Sequence, residues 1–249
     1  MQPTRCRFFA HLHTHSVQVA MPIPSIHGRT VEMVGGHLAT LFRRAPGIRV
    51  TPEGVYWNEA LFREWGRALA RQHKAARTFL NPSFGWRQDW RREPVLVESL
   101  ARIRATDNEL AQIADSLFAE LEAHTGVLGE VGTIHADIGP QNFRYKPRCG
   151  ITPFDFDNCC RHWFLYDVAV CKSVLRLRPE REQLVEWIIE GYQELRPVPG
   201  DSGLLGLLQH LRLLYVYCDR LHSFGFTPRP EQMNILGGFR DRLICGEVW

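Results

Sequence analysis

The run His135-Ala136-Asp137-Ile138-Gly139-Pro140-Gln141-Asn142 follows the pattern H-x-D-x-x-x-x-N, and Phe154-Asp155-Phe156-Asp157 adds two carboxylates a short way on. Phosphoryl transfer needs this set of groups. One carboxylate orients an attacking hydroxyl and accepts its proton, while an amide oxygen and a second carboxylate hold the metal that bridges the phosphates. Asp155 follows Asp137 by 18 positions. Either half alone is a weak signal, since His, Asp and Asn are common in loops; both together, in this order, are specific. On this reading Asp137 with Asn142 carries catalysis, Asp155 is a metal ligand, and Asp157 either joins the metal or neutralises an arginine. His135 is an ordered structural histidine, because the carboxylate two residues on already fills the proton-accepting role.

Other residues suggest rival chemistry and are weighed against blander roles. His11, His13 and His15 alternate as zinc or iron ligands do on a strand. A barrel hydrolase built on them needs eight strand–helix units, whereas the middle of this chain reads as helix after helix. Solvent-facing histidines on a leading helix are the better account. Trp65, Phe84, Trp86 and Trp90 are candidates for lining an acceptor pocket, although Trp65 shares a helical face with Leu61 and Leu69 and reads as core. Arg87, Arg91 and Arg92 form a local basic cluster, either a solvated loop or a contact for an anion. The seven cysteines form no C-x-x-C pair, so a disulfide framework is not expected, and Cys159-Cys160 reads as a half-buried loop.

The 249 residues, 45% hydrophobic and 23% charged, are those of a globular protein of one large domain or slightly more. A net charge of +3 with no block of like charge gives no reason to expect nucleic acid. No apolar run approaches the roughly 20 residues of a membrane span. Residues 1–10 lack a signal peptide's apolar core, so a cytoplasmic location is expected.

The elements that must position these groups follow from the hydrophobic period. Residues 5–16 suit a helix, and 17–24 are extended and broken by Pro22 and Pro24. Residues 30–34 and 38–43 read as short strands around Gly35-Gly36, and Ala45-Pro46-Gly47 is a stop. From Asn58, a plausible N-cap, Leu61, Trp65, Leu69 and His73 share one helical face. A second helical stretch spans 94–124. Short apolar pieces at 132–134, 143–145 and 151–156 flank the acidic runs, and helical patterns resume at 165–177, 180–195 and 204–222. The division is a small strand-bearing part, 1–46, and a larger, mainly helical part, 47–249.

The order of these signals resembles the aminoglycoside phosphotransferase and choline kinase superfamily, especially its homoserine-kinase-like members. Besides the two acidic runs, the resemblance rests on Pro22-Ile23-Pro24-Ser25 with Gly28, on residues 41–47 and 66–73, and on Tyr166-Asp167-Val168-Ala169. It implies an α+β, protein-kinase-like fold with an incomplete small N-terminal lobe and a mainly helical C-terminal lobe. It implies ATP-dependent transfer of a phosphoryl group, with Mg2+, to a hydroxyl of a small molecule. Asp137 would be the base, Asn142 and Asp155 the metal ligands, and the backbone of Arg43, Arg44 and Ala45 the adenine contact. Asp167 would cap or anchor the 135–142 loop. The sequence departs from the family in one respect. No glycine-rich loop or strand lysine precedes residues 6–16, Lys74 is the first lysine and Glu32 the first acidic residue. An N-terminally truncated lobe is therefore expected. The alternative is a pseudokinase-like binding or regulatory protein.

Overall fold

A computed structural model describes residues 3–79, 89–198 and 202–247, with side chains from residue 6 and, in the last stretch, from residue 203. Phe84, Trp86 and Arg87 lie outside the described residues. Helix α1 (Pro3–Thr14) leads. Strands β1 (Pro22–Ile23) and β4 (Leu41–Phe42) pair antiparallel, as do β2 (Glu32–Val34) and β3 (His37–Ala39). The β2–β3 link is Gly35-Gly36, both at positive φ (56° and 81°), as a two-residue hairpin turn requires of its central residues.

Helix α2 (Glu59–Ala76) starts where Asn58 accepts the Leu61 N–H. It crosses α6 (Arg181–Gln193) at two glycines. A Cβ on Gly66 would strike the Ile188 carbonyl, and one on Gly191 the Arg63 carbonyl. The closeness seats Leu61, Phe62, Trp65 and Leu69 in a core shared with Ile188 and Tyr192. Trp65 is therefore core, as its spacing suggests.

The stretch expected as one helix over 94–124 is two, α3 (Pro94–Thr106) and α4 (Asn108–Ala123). Asp107 breaks it. Its carboxylate caps the Leu110 N–H at 3.1 Å and takes Arg240 Nη2 at 3.0 Å. Arg240 belongs to α8 (Pro230–Ile244), which the sequence reading missed because its buried apolar residues, Leu236 and Leu243, are sparse. Helices α5 (Phe164–Val174) and α7 (Ser202–Ser223) complete the helical core with α3 and α4. Phe8, Phe9 and Leu12 of α1 pack into that same core, where Phe9 meets Phe156 edge-on at 5.1 Å.

Two further ribbons carry the acidic runs. Strand β5 (Val131–Ile134) pairs with β8 (Cys160–Trp163), and β6 (Phe143–Lys146) with β7 (Gly150–Pro153). Cys159 and Cys160 are buried, and Cys160 opens a strand instead of lying in the expected loop. Pairing with Ile134 makes the difference, and no local pattern announces it.

Candidate active site

The loop after β5 is held by one buried carboxylate from α5. Asp167, fully buried, accepts the Ala136 N–H at 2.8 Å on Oδ1 and the His135 N–H at 3.1 Å on Oδ2. Its Oδ2 also accepts His73 Nε2–H at 2.9 Å, and His73 Nδ1 accepts the Tyr192 hydroxyl at 2.9 Å. Burial holds His73 below its usual range, so the ring is a neutral donor. Burial works against an ionised Asp167, but the donors from His73 and the His135 backbone outweigh it and keep the carboxyl below the ordinary range. The expected role of Asp167 as an anchor for the loop is thus what the geometry shows.

The anchored backbone is bent for a purpose. Ala136 sits at φ 63°, in the left-handed region, and turns the chain so that Asp137 leaves the protein interior, its side chain 26% exposed. Arg212 of α7 donates to Asp137 Oδ1 at 2.6 Å and to the Ala136 carbonyl at 3.2 Å. Asn142 Nδ2 donates to the Asp137 carbonyl at 2.8 Å and to its Oδ2 at 3.2 Å. An amide that gives both hydrogens to Asp137 presents its oxygen elsewhere, as a metal ligand must.

The second acidic run is locked to the first. The Phe154 N–H donates to the Asn142 carbonyl at 2.9 Å, and His135 Nε2–H to the Phe154 carbonyl at 3.0 Å. The His135 ring packs on Phe156 at 4.3 Å, which fits its reading as a structural histidine. Asp155 also takes a left-handed backbone, φ 61°, and makes no side-chain hydrogen bond or ion pair among the described residues. The Asp155 residue is exposed at this turn, next to the buried Phe156. It lines a cavity of about 610 Å³ together with Asp157, Arg144, Arg43, Arg44 and Ala45.

That cavity unites three residues expected at the adenine with one expected at the metal. Arg43 has its own N–H committed to the Met21 carbonyl at 2.8 Å, extending the β1–β4 ladder. The backbone amides of Arg44 and Ala45 make no hydrogen bond to described residues. Phe9, Phe42 and Phe156 form its apolar side. Asp137 and Asn142 stand outside its lining, joined to it through Phe154.

Several expected contacts have other employment. Arg91 pairs with Asp89 at 3.0 Å and lies over Trp90 at 5.0 Å, while Arg92 is exposed. The His11 and His15 rings meet at a tilt with centroids 4.2 Å apart, and His11 Nε2 bonds the Ala75 carbonyl at 2.8 Å, so His11 is half-buried and tethers α1 to α2, while His13 and His15 face solvent. Sequence reasoning missed Arg212, His162 and Arg144, and read His73 only as part of an apolar face. A charge inside the apolar run of α7 is a signal that could have found Arg212.

An anchored H-x-D-x-x-x-x-N loop, a second acidic turn bonded to it and a cavity lined by Phe42 to Ala45 together define a protein-kinase-like phosphotransferase fold. The solved amicoumacin kinase in complex with AMP-PNP, Ca2+ and Ami superposes with a TM-score of 0.81 at 23% identity, covering 98% of this chain and 77% of that one. A family model described as phosphotransferase enzyme family matches residues 6–200, and the chain belongs to that family. Amicoumacin kinase of Bacillus subtilis (strain 168) is 34% identical over 95% of this chain and 74% of its own length. Homoserine kinase of Rhizobium etli is 27% identical over 88% of this chain and 68% of its own length. No helix among the described residues is long and apolar enough to cross a membrane.

Proposed function

We propose that this chain transfers the γ-phosphoryl group of ATP, bound with Mg2+, to a hydroxyl of a small molecule in the cytoplasm. The observation that carries the reading is the direct bonding of the two acidic runs, with Asn142 bonded to Asp137 at 2.8 and 3.2 Å and to Phe154, which precedes Asp155, at 2.9 Å. Asn142 and Asp155 would hold the metal, because one has an amide oxygen to spare and the other an unpaired carboxylate on the cavity wall. The metal supplies charge neutralisation at the phosphates. Arg44 and Ala45 offer backbone groups to the adenine, on the seam between a lobe of residues 1–46 and one of 47–249. Asp137, held by Arg212 and Asn142, receives the proton of the acceptor hydroxyl.

Two measurements test the reading. Calorimetry should give magnesium-dependent binding of AMP-PNP that Asp155→Ala abolishes without unfolding the chain. ADP release should depend on an added alcohol, screened across homoserine, aminopropanol, choline and spectinomycin. Equal nucleotide binding by Asp155→Ala and parent removes the metal assignment. Nucleotide binding with no transfer to any alcohol favours the alternative of a binding protein without turnover.

A further inference from the structure

Beside the 135–142 loop, on the side where Arg212 grips Asp137 Oδ1 at 2.6 Å, lies a second and much smaller cavity of about 20 Å³. Ala136, Arg212, Trp90, Tyr166, Asn158 and His162 line it. Its volume holds one oxygen atom, since a cavity of roughly 10–15 Å³ already admits a water. His162 is 2% exposed and is sandwiched between the rings of Trp90 at 4.8 Å and Tyr166 at 4.0 Å.

The protonation of that ring is fixed by its partner. Trp163 donates its backbone N–H to His162 Nδ1 at 2.8 Å, so Nδ1 carries a lone pair and no hydrogen. Burial, aided by the nearby charge of Arg91, holds the ring well below its ordinary pKa and keeps it neutral. A neutral imidazole with an accepting Nδ1 carries its hydrogen on Nε2. That Nε2–H is buried and has no partner among the described residues. Buried donors are almost always bonded, so one left open on a residue that lines a cavity calls for an oxygen.

We propose that His162 is a specificity-determining residue of the acceptor site, where its Nε2–H binds an oxygen of the acceptor other than the one phosphorylated. The inference rests on the kinase reading above and narrows its substrate class to alcohols bearing a second hydroxyl, carbonyl or carboxylate oxygen. Without acceptor, a single water occupies the place. A neutral N–H donates to any of these oxygens and discriminates against a compound that lacks one, because its hydrogen is then left unsatisfied. The flanking aromatic rings fix the direction of the N–H and exclude bulk water.

Two matched measurements test it. The first is turnover with homoserine against 3-aminopropanol, which lacks the carboxylate, and with glycerol against 1-propanol, in the parent, His162→Phe and His162→Gln. His162→Phe keeps a stacked ring but loses the N–H, and should raise KM for the doubly oxygenated alcohols about tenfold, the worth of one neutral hydrogen bond. KM for ATP should stay in place, and His162→Gln, with an amide N–H, should restore part of the loss. The second uses 15N-histidine NMR of the parent protein, and so does not depend on either variant folding. The His162 signal should be Nε2-protonated and neutral at about pH 6, where an ordinary histidine is largely charged, and should move on addition of a phosphorylated alcohol. An unchanged KM in His162→Phe, or an Nε2 signal indifferent to an alcohol that is turned over, means water is its only partner and overturns the proposal alone. Absence of turnover with every alcohol overturns the kinase reading and this proposal with it.

Discussion

Replacing Asp167 by Asn tests whether one buried carboxylate holds the 135–142 loop in place. The substitution preserves shape and removes one of two acceptor oxygens. Oδ1 serves the Ala136 N–H at 2.8 Å, whereas Oδ2 serves two donors, the His135 N–H at 3.1 Å and His73 Nε2–H at 2.9 Å. The amide therefore keeps its oxygen on the Oδ2 side and turns its NH2 group against the Ala136 N–H. Two buried donors then oppose each other, each left unsatisfied at about 1–3 kcal/mol. The total is about 3–5 kcal/mol, the scale of removing one partner from a buried charged cluster, and a large part of the roughly 5–15 kcal/mol that a domain commands. Ala136 stands at φ 63°, a conformation that costs a side-chain-bearing residue about 1–2 kcal/mol. Its bond to Asp167 sustains that conformation. Once released, Ala136 relaxes and carries Asp137 with it, and a displacement of about 1 Å lowers turnover on the order of a hundredfold. Urea unfolding followed by circular dichroism should show a lower midpoint with the same slope, and the surviving folded fraction should be nearly inactive. A variant within about 0.5 kcal/mol of the parent, with parental turnover, would refute the anchoring argument.

Other substitutions probe separate parts of the molecule. Asp137→Asn should spare nucleotide affinity and cut turnover by about a hundredfold or more, the scale of a positioned base; parental turnover on a cognate alcohol removes Asp137 from the proposed mechanism. Gly191→Ala drives a methyl group into the Arg63 carbonyl and should destabilise the α2–α6 crossing by about 1–3 kcal/mol, read as a lower urea midpoint. Gly206→Ala in α7, where nothing stands near the added Cβ, is the control and should not destabilise. Acidification should weaken the fold through His73 and His162, both held neutral below their ordinary pKa by burial. Below about pH 6.5 the unfolded chain takes up protons that the folded chain refuses, so stability falls with pH by up to roughly 1.4 kcal/mol per unit for each ring. The contribution of Asp167, whose pKa is also depressed, is lost only further down, as pH falls through the carboxylate range. A urea midpoint that is flat between about pH 7 and pH 5 would show that these rings take up protons in the fold as readily as in the unfolded chain.

The sequence by itself determined the local arrangement of the candidate site. Asp137, Asn142 and Asp155 stand within one short stretch, and their spacing carries much of their geometry because one loop and one closed hairpin, β6–β7, connect them. The start of α2 at Asn58 and the hairpin at Gly35-Gly36 were legible for the same reason, since a cap and a two-residue turn are made by adjacent residues. Tertiary structure decided what depends on distant partners. Cys160 is a strand residue only because Ile134 lies opposite, and Asp107 divides a helix with Arg240 bound across it from α8. Arg212 reaches Asp137 from α7, and His73 joins Asp167 across the core from α2. Hydrophobic period marks where side chains are buried and says nothing of which polar group meets which. A buried arginine or histidine is tolerated only with a partner, and the fold alone brings that partner within about 3 Å.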